Sequence, residues 1–107
     1  MAKPPLKTCV LIPAYNEEKR VAAVVREVRD YCPDVVVIDD GSPDDTDRVA
    51  AEAGAVVLEH VHNRGKGAAL QTGFDYAREK GYDLVLTMDA DGQHAPSDIP
   101  AFLQAYE

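Results

Sequence analysis

Cations are scarce in this chain. Its 107 residues include 11 Lys and Arg against 19 Asp and Glu, a formal net charge of −8 at neutral pH. A surface of that sign does not bind nucleic acid or an anionic membrane non-specifically, so any phosphate ligand needs a local counter-charge. Long apolar runs are also missing: no stretch reaches the roughly 18 residues that would span a bilayer. The start, Met1 to Lys7, lacks the apolar centre of a signal peptide and reads as a loose leader. Cysteine is limited to Cys9 and Cys32. Two cysteines at that spacing form neither a disulfide framework nor a metal motif, and they read as reduced, partly buried residues of a cytosolic protein. Two nucleotide signatures are absent as well. No G-x-x-x-x-G-K-[ST] occurs and no G-x-G-x-x-G follows the first strand, which counts against a P-loop hydrolase and a nicotinamide-dependent dehydrogenase.

What is present suits one folded domain with one core: 46% apolar and 28% charged residues. Thr8–Ile12 is a short β-rich run, expected to stop at Pro13. Val21, Val24, Val25 and Val28 recur at helical spacing, predicting a helix from about Glu17 to Tyr31. Val35–Ile38 is a second strand. Thr46, Val49, Ala50 and Ala53 share one face of a second helix, with Ser42 or Asp44 as N-cap and Gly54 as its stop. Ala55–Leu58 is a third strand. A helix from Lys66 to Lys80 follows, with Leu70, Phe74 and Ala77 expected inward. Leu84–Met88 is a fourth strand. A last helix is expected from about Pro96–Asp98, carrying Ile99, Phe102 and Leu103. The alternation of strand and helix, with continuous rather than alternating apolar strands, predicts a Rossmann-like three-layer α/β/α domain. Right-handed crossovers favour a parallel sheet of order 3-2-1-4.

In such a sheet ligands bind beyond the carboxyl ends of the strands, where the strand order reverses. Four polar clusters follow those ends: Pro13–Glu17, Asp39–Ser42, His60–Gly67 and Asp89–His94. Asp89 and Asp91 are one residue apart at the mouth of a strand, and like charges that close recruit a cation unless they form a solvated turn. Tyr15 suits either a surface position or stacking on a base. Asn16 reads as a helix N-cap and Glu17 as a first-turn acid or a ribose neighbour. Asp39 and Asp40 read as a capping turn or as acceptors for a base N–H. Asp44, Asp45 and Asp47 read as first-turn helix acids. The Asn63-Arg64-Gly65-Lys66-Gly67 loop brings two cations to a helix N-terminus, a place that favours anions. His60 and His62 read as surface residues, and His94 is ambiguous.

Pro13-Ala14-Tyr15-Asn16-Glu17, Val37-Ile38-Asp39-Asp40-Gly41-Ser42, the Asn63–Gly67 loop and Asp89-Ala90-Asp91-Gly92-Gln93-His94 occur in one order and register. Together they resemble the inverting family-2 glycosyltransferases, nearest to the dolichol-phosphate (polyprenyl-phosphate) mannose synthase branch. The resemblance covers about residues 8–106. It implies the N-terminal part of a glycosyltransferase-A fold and a nucleotide-diphosphate-sugar donor of the GDP-mannose or UDP-glucose type. Pro13, Ala14, Tyr15 and Glu17 would line the nucleoside pocket, and Ile38 and Asp40 would contact the base. Lys66, Asp89, Ala90, Asp91 and Gln93 would surround the diphosphate. Asp89, Asp91 and Gln93 would hold Mg²⁺ or Mn²⁺, with Asp91 serving the leaving group through the metal. The implied reaction inverts the anomeric carbon, with a polyprenyl or dolichyl phosphate as one acceptor type.

Family members continue for roughly as long again beyond the position of Glu107. The expectation is therefore a single truncated donor-binding domain over residues 1–107, without acceptor-side catalytic residues. Its fourth strand would be an open edge able to pair with a second copy. The expected location is cytoplasmic, with a lipid acceptor drawing the chain to the cytoplasmic face of a membrane. A nucleotidyltransferase and a non-catalytic nucleotide-binding module are the alternatives. The first usually has a Gly-rich cationic loop where this chain has Pro13–Glu17.

Overall fold

A computed structural model describes residues 6–91. The elements are β1 (Thr8–Ala14), α1 (Val21–Arg29), β2 (Val35–Asp39), α2 (Thr46–Glu52), β3 (Val56–Glu59), α3 (Lys66–Glu79) and β4 (Leu84–Thr87). All strand pairs are parallel, and the order β3-β2-β1-β4 is the expected one. The final helix expected after Pro96 lies outside the described residues. Among those residues, no helix is long and apolar enough to cross a membrane.

Strand alternation separates two apolar layers. Val10, Ile12, Val35 and Val37 face α1 and α2, and join the buried stripe Val21, Val24, Val25 and Val28. Cys9, Leu11, Val36 and Ile38 face α3. The central strands β1 and β2 are therefore buried on both faces, as their unbroken apolar runs predict, whereas β3 and β4 are only partly covered. Cys9 and Cys32 are free and buried; burial pushes the Cys9 thiol up to about 11, which leaves it protonated and unreactive.

Several local expectations need correction. β1 runs through Pro13 to Ala14. The Leu11 carbonyl faces β4, accepting from Met88 N–H at 3.0 Å, and Pro13 points to the same side. The β4 pairing ends at Thr87, so no ladder donor is required of the proline there. Lys7 is not a loose leader: its N–H donates to Asp83 Oδ2 at 2.9 Å and its ammonium to the Lys80 carbonyl at 2.7 Å. In α3 the inward stripe is Ala69, Gly73 and Ala77, whereas Phe74 is 42% exposed. The helix lies so close to the sheet that a Cβ on Gly73 would fall 2.8 Å from Leu11 Cδ1 and 3.0 Å from Ile38 Cδ1. Only small residues fit that seam, so Leu70 and Phe74 turn to its flanks.

α1 begins at Val21 rather than near Glu17, because its approach is held in another conformation. Three consecutive amides donate to side chains of the β2–α2 segment: Asn16 N–H to Ser42 Oγ (3.0 Å), Glu17 N–H to Thr46 Oγ1 (3.0 Å) and Glu18 N–H to Asp44 Oδ2 (3.4 Å). In return, Glu18 Oε2 accepts from Asp45 N–H at 3.1 Å. Asn16 is not an N-cap; it sits at φ +55°, a left-handed conformation that Asn adopts more readily than most residues. The α2 N-cap is Asp45, with no side-chain cap bond; Asp44 Oδ1 instead accepts from Thr46 N–H at 3.1 Å, one position early. The fully buried Thr46 hydroxyl both donates to Asp44 and accepts from Glu17. It ties the two loops together.

Gly73→Val should cost about 1–3 kcal/mol through overpacking. Phe74→Ala should cost less than about 1 kcal/mol, against about 3–5 for a core Phe. Urea denaturation of both variants checks the register of α3, and a large loss at Phe74 would contradict it. Thr46→Val keeps the volume but orphans the Glu17 amide, so it should lose about 1–3 kcal/mol in the same assay.

Candidate functional site

The strand order reverses between β1 and β4, and a crevice of about 270 Å³ opens there. Pro13, Ala14, Tyr15 and Glu17 supply the β1 side, and Asp89, Ala90 and Asp91 the β4 side. Asp40 comes from the end of β2, and Asn63, Gly65, Lys66 and Ala69 come from the start of α3. The residues to which the family resemblance gives a role converge there within the described part of the chain, except Ile38; Asp39, also a candidate, does not line the crevice. Ile38 is fully buried in the layer beneath α3, and its side chain does not reach the crevice. Its strand position sends it to the core face, while Asp40, two residues on and past the end of the strand, lines the crevice. Gln93 and His94 lie outside the described residues.

Tyr15 is 44% exposed and presents an open aromatic face at the rim. Glu17 is not a first-turn acid, since the first turn of α1 carries none. Its carbonyl accepts from the Arg20 and Val21 amides, at 3.0 and 2.8 Å, its Oε2 lies 3.9 Å from the Arg20 guanidinium, and the residue lines the crevice. Across from it, Lys66 Nζ donates to Asp89 Oδ1 at 2.8 Å. The lining thus holds the carboxylates of Glu17, Asp40, Asp89 and Asp91 and the ammonium of Lys66. A nucleoside diphosphate entering this set meets more negative than positive charge. Carboxylate oxygens such as those of Asp89 and Asp91 are hard donors of the kind divalent cations take, and a cation would reverse that balance.

Asp40 is buried and heavily engaged. Its Oδ1 accepts from His60 Nδ1–H (2.7 Å) and Arg64 N–H (2.9 Å), and its Oδ2 accepts from Gly65 N–H (2.8 Å). Burial raises its pKa, but these donors outweigh it and hold the carboxyl below its ordinary value of 3.8. His62 is exposed as expected, but His60 is not a surface residue. Its side chain is 5% exposed, and its Nε2 lies 2.8 Å from Thr72 Oγ1. Sequence reasoning also missed Thr46, Thr72 and Ala69; each looks like an ordinary helical residue until the fold brings its partner close.

A second carboxylate group lies outside the crevice lining. Asp39, Asp47 and Glu59 each bring an oxygen within 4.8 Å of the others. A hydrogen bond between Glu59 and Asp47 raises the Glu59 pKa and lowers that of Asp47.

Asp40 has a folded-state pKa below its unfolded value, so the unfolded chain binds the extra proton in that interval. Its stabilising contribution is complete above about pH 5 and is lost as pH falls through the lowered folded value. Denaturation between pH 6 and pH 3 should give a shallower fall in stability for Asp40→Asn than for the wild type. Equal slopes would show that the carboxylate is not held in its charged form.

Three known proteins illustrate what this chain is similar to. The polyprenol monophosphomannose synthase of Mycolicibacterium smegmatis is 39% identical, over 98% of this chain and 43% of its own length. The undecaprenyl-phosphate mannosyltransferase of Micrococcus luteus is 40% identical, over 94% of this chain and 44% of its own length. Among solved structures, glucosyl-3-phosphoglycerate synthase from Mycobacterium tuberculosis, in complex with Mn²⁺, UDP-glucose and phosphoglyceric acid, superposes with a TM-score of 0.71 at 26% identity, over 89% of this chain and 37% of that one. The chain thus spans less than half the length of these relatives. With residues 9–107 matching the profile of glycosyl transferase family 2, the chain belongs to that family.

Proposed function

We propose that this chain is the donor-binding part of a metal-dependent, inverting glycosyltransferase. Its donor would be a nucleotide-diphosphate sugar of the GDP-mannose or UDP-glucose type, and its acceptor a polyprenyl or dolichyl phosphate. The observation that carries this reading is the convergence of Tyr15, Glu17, Lys66, Asp89 and Asp91 on one crevice at the strand reversal. The names of the two mannosyltransferase relatives support the lipid-phosphate acceptor. The Mn²⁺ and UDP-glucose of the solved relative support the donor and the metal.

In this reading Tyr15 stacks on the base, and Pro13, Ala14 and Glu17 hold the nucleoside. Asp40 fixes the floor of the site and approaches the base, while Lys66 and the amides opening α3 face the diphosphate. Asp89 and Asp91 hold Mg²⁺ or Mn²⁺, with Gln93 as a further oxygen ligand and Ala90 beside the diphosphate. The bound ion supplies Lewis-acid neutralisation of the charge that develops on the leaving diphosphate. An acceptor phosphate oxygen then attacks the anomeric carbon on the face opposite that bond. The new C–O bond forms as the bond to the diphosphate breaks, and the configuration inverts. A lipid phosphate is already anionic, so attack needs little help from a base, whereas a sugar hydroxyl would need one. A lipid acceptor would draw the protein to a membrane surface, in this reading the cytoplasmic face. The outer edge of β4, which pairs only with β1 among the described residues, suits association with a second copy.

Calorimetric titration of GDP and UDP, with and without Mn²⁺, tests the donor site. Mn²⁺ should strengthen binding of one of them at least about tenfold, and Asp91→Ala should abolish that gain. Lys66→Met should weaken binding by roughly 10- to 100-fold, as expected for loss of a charge-assisted hydrogen bond. Binding indifferent to metal and to Asp91 would overturn the site. Transfer of radiolabelled sugar to a polyprenyl phosphate separates a transferase from a module that only binds.

A further inference from the structure

Of the two histidines among the described residues, His60 has both ring nitrogens engaged. It opens the loop that leads from β3 to Lys66, and that loop is held at three points. At its start, His60 N–H donates to the Asp39 carbonyl at 2.9 Å, and its ring meets Asp40 and Thr72. In the middle, the backbone of His62 and Asn63 lies against Gly41. A Cβ on Gly41 would fall 2.6 Å from Asn63 N and from the His62 carbonyl carbon, so no other residue fits without moving the loop. Gly41 also has φ +74°, which disfavours any side chain. At the end, the Arg64 and Gly65 amides donate to the same Asp40 carboxylate that His60 holds.

We propose that His60 is a positioning residue for the donor site: its Nδ1 bond to Asp40 Oδ1, with the ring seated by Thr72 Oγ1, fixes the carboxylate that sets the Arg64–Lys66 segment, and with it the Lys66 ammonium, against the donor diphosphate. The ring arrangement follows from donor and acceptor chemistry. Asp40 takes two backbone N–H groups and so acts as an acceptor, which makes His60 Nδ1 the proton donor to it. In the neutral ring Nε2 then accepts the Thr72 hydroxyl proton. Thr72 lies six positions into α3 beyond Lys66, about 9 Å along the axis. The imidazole therefore links the end of β2 to the body of α3, and the Asp40 amide contacts link it to the first turn. Both ends of that half of the helix are referenced to one carboxylate. The link to diphosphate binding rests on the donor-site reading above; the pinning of the loop does not.

Two isosteres separate positioning from space filling. The Asn side-chain amide reaches where imidazole Nδ1 lies, and the Gln amide reaches where Nε2 lies. Hydrogen exchange of the Arg64 and Gly65 amides, with β1 and β2 amides as the internal reference for global stability, reads the loop without ligand. Calorimetry with GDP and UDP in the presence of Mn²⁺ reads the site. His60→Ala and His60→Gln should lower protection at Arg64 and Gly65 at least about tenfold and weaken nucleotide binding by about the same factor, as for loss of a hydrogen bond to a charged group. His60→Asn should stay within about threefold of wild type in both. Unchanged protection in His60→Ala, or equal behaviour of the Asn and Gln variants, overturns the proposal. So does lost protection accompanied by undiminished nucleotide binding. A wild-type chain that binds neither nucleotide overturns the donor reading, while the amide exchange still decides the role of His60 in the loop.

Discussion

The Asp40 carboxylate is the interaction on which the site depends. It is a buried charge, and a buried charge is stable only when donors surround it. Here the donors are His60, Arg64 and Gly65, all from the segment between β3 and α3. The need to satisfy one acid therefore sets the path of that segment and the place where α3 begins. The helix cannot drift away along the sheet, because Gly73 seats it directly on Leu11 and Ile38. Lys66 inherits its position from both constraints.

The opposite wall is built the same way, from polar side chains reading backbone amides. Ser42, Thr46 and Asp44 take the amides of Asn16, Glu17 and Glu18, and this keeps the chain from entering α1 four residues early. Neither wall is regular secondary structure. Both hang from the end of β2, Asp40 toward α3 and Ser42–Thr46 toward α1. The floor of the crevice is rigid because β1 and β2 are buried on both faces, and the working side chains stand where the strands end. That division suits a site that must hold a charged, flexible ligand: apolar packing supplies the stability, and the loops supply the chemistry.

Electrostatics sharpen the same point. A chain of net charge −8 gathers four acidic residues around a crevice containing one Lys. Such an arrangement opposes phosphate unless a cation is shared among the acids. The Lys66–Asp89 pair shows the two signs already in contact across the opening. The Asp39, Asp47 and Glu59 carboxylates, by contrast, gather outside the crevice lining, with Glu59 hydrogen-bonded to Asp47.

The sequence by itself determined the fold class, the strand order, the valine face of α1 and the convergence of the Pro13, Asp40, Lys66 and Asp89 segments. Each follows from periodicity, from the handedness of crossovers and from the rule that ligands bind where parallel strands end. Tertiary structure alone decided which neighbour each polar or large side chain meets. Phe74 lies outside because the α3 seam admits only small residues, and Ile38 misses the crevice because strand alternation turns it into the core. His60 looked like a surface residue since its partners, Asp40 and Thr72, are 20 and 12 positions away in the chain. Local pattern reports what a segment prefers. A hydrogen bond between distant segments exists only once the sheet has brought them together, and no periodicity in the chain records it.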